Sequence, residues 1–195
     1  MGPVHGWVVA LAGCGDEVSV SQQEGSTSEE LGAHGGEVCP EELPRTSEDH
    51  GLGASEPAES SPALAPPDAA WVCRFNPVDV DPGPNGGGPM FSWVRDGEAR
   101  TVESSVLEQI ARHVDDLEPA DERSGCNDDV GSRWILVHAY ENDLTGVVSE
   151  DFGCRDVLLT DEPFRTPPGD AAQPGTVSGV LTAPDDFLDA LKAIE

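Results

Sequence analysis

Ala70–Phe75 is apolar at every position but Arg74, and at a period of two Trp71, Cys73 and Phe75 share one face of a predicted strand. Met90–Arg95 is a second strand candidate. Asp96-Gly97 carries a turn signal that would join it to residues 98–102 as a hairpin. Val106, Leu107, Ile110, Val114 and Leu117 then recur at helical spacing until Pro119 stops the run. Thr101 with Ser104, or Ser105 with Glu108, is the expected cap, and His113 falls on the expected outer face. Arg133–Tyr140 has the strongest strand pattern. Trp134, Leu136, His138 and Tyr140 lie on one side and Ile135, Val137 and Ala139 on the other. Apolar residues on both faces predict a central strand.

Glu141-Asn142-Asp143 turns that strand into Leu144–Ser149, and Val157-Leu158-Leu159 adds a short one. Residues 160–181 read as irregular. A last helix is expected over 184–194, capped by Thr182, with Phe187, Leu188, Leu191 and Ile194 as its stripe. Residues 70–195 therefore read as an α+β head: a small, mostly antiparallel sheet of about five strands with two packed helices.

No period of 2 or 3.6 is sustained before residue 70. Residues 15–69 hold 13 acidic residues and a single arginine, Arg45. Charge this dense, with few large apolar side chains, does not repay the entropy of ordering, so 14–69 is expected to be a disordered acidic tether. As a coil it would reach on the order of 40 Å. Over the whole chain, 38 acidic against 10 basic residues give a formal charge of −28, which argues against nucleic acid as a partner.

The start of the chain is different. Val4, Trp7, Val8, Val9, Ala10, Leu11 and Ala12 form a short apolar run that closes on Gly13-Cys14. Such a run ending in small residues reads as an export signal. Leu11-Ala12-Gly13-Cys14 resembles the lipobox of bacterial lipoproteins. The resemblance implies that residues 1–13 are removed, that Cys14 is lipidated, and that the chain sits at the outer face of the cell membrane. Two acyl chains suffice for stable anchoring where one is marginal. No Lys or Arg precedes the run, so 1–13 reads as a truncated signal. The acidic tether, the cysteine in the first strand and the cysteines either side of the 134–149 strand pair are similar to small exported lipoproteins of high-GC actinobacteria. That likeness implies no activity.

Cys39, Cys73, Cys126 and Cys154 remain after Cys14, and four cysteines allow three pairings. Cys126 and Cys154 flank the strand pair 133–149, whose outer ends meet, which favours Cys126–Cys154 and by subtraction Cys39–Cys73. A bridge from Cys73 within the head, leaving Cys39 free, is the rival.

Candidate chemistry is sparse. The sequence contains no Cys-x-x-Cys, no His-Glu-x-x-His and no Gly-x-Ser-x-Gly. The run Gly83–Gly88 lacks the lysine of a phosphate-binding loop, and Asp79, Asp81 and Asn85 lack the glycine and glutamate that complete a calcium loop. No catalytic residue, metal or cofactor is therefore expected. His138, beside Trp134 and Tyr140 on one strand face, could with Trp93 line a small pocket. The expectation is a membrane-anchored, non-enzymatic binding or structural module, whose partner is an unidentified envelope protein or ligand. The alternatives are an envelope enzyme or enzyme inhibitor with its site near His138, and a cytosolic acidic protein without an anchor.

Overall fold

The computed structural model describes residues 31–45, 53–81, 90–121, 129–141, 143–173 and 175–194. They form an α+β fold around one mostly antiparallel open sheet of eight strands. The strands are β1 (Ala69–Val80), β2 (Met90–Arg95), β3 (Arg100–Thr101), β4 (Glu118–Pro119), β5 (Arg133–Tyr140), β6 (Asp143–Glu150), β7 (Val157–Thr160) and β8 (Leu181–Thr182). The helices α1 (Ser104–Asp115) and α2 (Phe187–Lys192) cover one face, and a helical turn lies at 31–33. The spatial order is β2-β1-β5-β6-β7-β8-β4, with β3 also on β1.

The central place of β5 follows from its sequence. It pairs with β1 through Phe75↔Arg133 to Ala69↔Ala139 and with β6 through Arg133↔Glu150 to Tyr140↔Asp143. Its even positions Trp134 and Leu136 join Val72, Val147 and Leu159 under Ile110, Val114, Phe187 and Leu191 of the helices. Its odd positions Ile135, Val137 and Ala139 join Phe75, Trp93, Val148 and Leu158 on the opposite face. There the cover is irregular chain carrying Leu43, Phe152 and Phe164.

Four expectations need correction. The 90–102 hairpin does not form, because β2 and β3 both run antiparallel to β1. Gly97 does take a positive φ of 87°, but it bends the chain instead of reversing it. The Asp96 and Val102 amides donate to Arg74 and Ala70 of β1, which keeps the segment on that edge. Neither helix has the expected cap: α1 starts after Glu103 and α2 after Asp186, each without a side-chain capping bond. His113 is not a surface group; its side chain is 12% exposed, with Nδ1 3.7 Å from Asp186. The sheet has more strands than expected because β4 and β8, of two residues each, pair only with partners distant in sequence.

The tether also folds back further than its composition suggests. Leu43 and Ala58 are buried, and Glu42 and Pro57 bridge to Val94 and Val180. The β2 edge of the sheet is thereby covered, and apolar burial at these few points offsets the ordering cost locally. Cys39 is bonded to Cys73, so the reading that leaves Cys39 free is set aside. Cys154 is disulfide-bonded too. The expected partner Cys126, like Cys14 and the rest of residues 1–30, lies outside the described residues.

Candidate functional site

The four residues expected to share a pocket do not come together. Trp93 packs on the irregularly covered face, Trp134 on the helix-covered face. Trp93 is buried and satisfied: Nε1 donates to the Gly131 carbonyl at 3.0 Å, the Phe152 ring stacks at 6.1 Å, and the Arg133 guanidinium lies 3.6 Å from its ring centroid. His138 is 3% exposed, between Ala70 and Thr145 on the neighbouring strands. Burial alone lowers its pKa to about 4, so the ring is neutral at neutral pH. Tyr140 is exposed at the end of β5. His138 is thus buried and neutral, with no carboxylate in hydrogen-bonding contact among the described residues. Nor do three or more His, Cys, Asp or Glu side chains converge on a metal-binding geometry among the described residues.

A different concavity forms where the sequence offered only a turn signal. A step of three along β1, from Phe75 to Val72, faces a step of five on the other chain, from Arg95 to Arg100. The two extra residues bow Gly97–Ala99 away from β1, as a bulge does, while the Asp96 amide stays bonded to Arg74. The notch between this bend and the end of α2 is a cavity of about 180 Å³. Its floor and far wall are Val72, Trp134, Leu191 and Ile194; its rim carries Arg74, Arg100, Asp96 and Glu98.

Arg74 and Trp134 are cross-strand partners, and the guanidinium sits 5.7 Å from the Trp134 ring centroid. The Arg74 side chain is 41% exposed and loosely held, 3.6 Å from the Asp96 carboxylate and 3.3 Å from the Ser132 hydroxyl to which it donates. Asn76 donates to the same Asp96 carboxylate at 2.9 Å, which orients the bend. Arg74 Nε and Trp134 Nε1, on two residues that line the notch, are buried with no hydrogen-bond partner among the described residues. Buried donors are otherwise paired in the great majority of cases. The arrangement can hold an acceptor group against an apolar wall; it contains no nucleophile and base in contact.

Sequence reasoning missed Arg74, Asp96, Glu98 and Arg100. One signal was available. Arg74 is the one charged residue within the apolar stretch Ala70–Phe75, in a chain with only ten basic residues. No family model matches the chain, and no curated protein or solved structure shows significant similarity to it.

Proposed function

We propose that this protein is an exported lipoprotein of the cell envelope, anchored through lipid on Cys14, whose folded head is a non-enzymatic binding module. The observation that carries the reading is the oxidised state of the head, in which Cys39 is bonded to Cys73 and Cys154 is bonded as well. Bridges persist in oxidising compartments and are rare in the cytosol. That agrees with the lipobox-like Leu11-Ala12-Gly13-Cys14 and counts against a cytosolic protein. The binding role is supported by the Arg74–Trp134 notch, which combines a small cavity with two buried donors that have no hydrogen-bond partner among the described residues. An enzyme or inhibitor centred on His138 has less in its favour, since that ring is 3% exposed inside the sheet.

Intact-mass analysis of the membrane fraction of the native cell tests the anchor. The expected chain begins at Cys14 and carries an added diacylglycerol mass, and Cys14→Ala releases the protein from the membrane. A soluble native protein that retains residues 1–13 and has reduced thiols overturns the proposal.

A further inference from the structure

We infer that the notch between the Asp96–Ala99 bend and α2 binds a small zwitterion with an apolar side chain, of the size and chemistry of a free aliphatic amino acid. The inference rests on reading the head as a binding module and is independent of the lipid anchor.

Three features of the notch select this ligand. The first is the pair of unpaired donors. Arg74 Nε and Trp134 Nε1 belong to cross-strand neighbours that both line the notch. A carboxylate, with two oxygens and several lone pairs, is the acceptor that a guanidinium fork recognises best. Both atoms are shielded from water while Arg74 lies over the Trp134 ring. Arg74 is held by a 3.6 Å approach to Asp96, far longer than a charge-assisted hydrogen bond of about 2.7–2.9 Å, and by a 3.3 Å hydrogen bond to the Ser132 hydroxyl, and a bound carboxylate can replace both. Because both donors are covered in this structure, the inference requires Arg74 to give up these contacts and move off the ring as the carboxylate binds.

The second feature is charge. The chain carries −28, a field that opposes the approach of a plain anion. The rim balances Arg74 and Arg100 with Asp96 and Glu98. A ligand that presents its own ammonium to these carboxylates enters without net charge and is not repelled.

The third is shape. A cavity of about 180 Å³ lies below the roughly 300–1,000 Å³ of pockets for drug-sized ligands. Val72, Leu191 and Ile194 line its interior, which suits an aliphatic side chain. Glycine has no group to place there.

Titration of the full-length protein with L-leucine, by calorimetry and by tryptophan fluorescence, tests the inference. Saturable one-to-one binding is expected. N-acetyl-leucine, leucine methyl ester and glycine should each bind at least about tenfold more weakly, because each lacks one of the three recognised groups. Arg74→Gln should weaken leucine by a similar factor, and Trp134→Phe, which keeps a ring but removes the donor, by several-fold. Near-UV circular dichroism checks that the variants fold. Should Arg74→Gln not fold, Glu98→Gln on the exposed bend takes its place, and it should weaken leucine while leaving N-acetyl-leucine unchanged.

The inference is overturned if leucine shows no saturable binding up to its solubility limit, if the blocked forms bind as well as leucine, or if a folded Arg74→Gln binds leucine unchanged. A protein that binds leucine but carries no lipid keeps the inference and loses the anchor. A lipidated protein that binds none of these probes loses the inference alone.

Discussion

The Arg133 guanidinium lies 3.6 Å from the centroid of the Trp93 ring, although the strands that carry them, β5 and β2, are separated by β1. Arg133 also donates through Nε at 3.1 Å to Glu150, its cross-strand partner on β6. Both charged side chains are almost fully buried. Burial pushes the Arg133 pKa down, and the Glu150 and Asp156 carboxylates push it back up. The pair thus ties the middle of the sheet to its β2 side through an ion pair and a cation–π contact.

Removal of one partner from a buried pair is costly because the other charge stays behind. Arg133→Met is expected to lower the unfolding free energy by about 3–5 kcal/mol. The double variant Arg133→Met with Glu150→Leu should recover a large part of that loss. Urea unfolding of the single and double variants measures both, and a double variant no better than Arg133→Met refutes the account.

His138 makes stability depend on pH. Folding lowers its pKa from about 6.5 to about 4, so between these values the unfolded chain binds more protons. Its stabilising contribution is complete above about pH 6.5, falls as pH drops, and levels off below about pH 4. The full change is on the order of 3 kcal/mol, at about 1.4 kcal/mol for each pKa unit. Asp143 and Asp161 act with the opposite sign, because desolvation and neighbouring carboxylates raise their pKa values. The test is therefore a difference: urea midpoints from pH 4 to 7 for the wild type minus those for His138→Gln. A flat difference curve contradicts the assignment.

The Cys39–Cys73 bridge closes a separation of 34 residues and holds the first described segment to β1. Opening it with Cys39→Ser and Cys73→Ser should cost about 3–4 kcal/mol in the chain-entropy account. The Leu43 amide donates to Trp93 and the Arg95 amide to Glu41, so these two amides report on release of the segment. Hydrogen exchange at both should accelerate in the double variant while the β5 amides stay protected. Equal acceleration at β5 would mean that the bridge holds the whole head together.

Gly179 and Gly97 both have φ near 90°, but only Gly179 is crowded. A Cβ at Gly179 would sit 2.7 Å from the Glu56 carbonyl oxygen, whereas one at Gly97 meets nothing within 4 Å. Gly97→Ala should cost only the backbone term, about 1–3 kcal/mol. Gly179→Ala should cost clearly more, because residues 56–58 must also move. Thermal unfolding of the two variants side by side makes the comparison, and equal losses would deny the close approach.

The parts legible in the chain were those with a strong local pattern. Alternation through Trp134–Tyr140 marked a two-sided central strand, and the Val106–Leu117 spacing marked α1. Strands β4 and β8 were not legible, since two residues carry no period and their pairing with each other and with β7 joins distant segments. The Asp96-Gly97 signal was read as a hairpin turn, and the chain bends there instead, because whether it reverses or bends depends on what edge β1 offers it. Leu43 and Ala58 were not legible as buried residues, because acidic, proline-rich surroundings hid them.

The candidate site divides in the same way. Strand parity placed Trp134 and His138 on one face of β5, and that held. It could not show that Trp93 packs on the other face, because that depends on the pairing of β2 with β1. From residue order alone come the central strand, α1 and the charge, all of which are read along the chain. The Arg133–Trp93 contact, the buried state of His138 and the Arg74–Trp134 notch required the tertiary structure. Each joins side chains from separate elements, and their distance is set by strand register and by the bulge at Gly97.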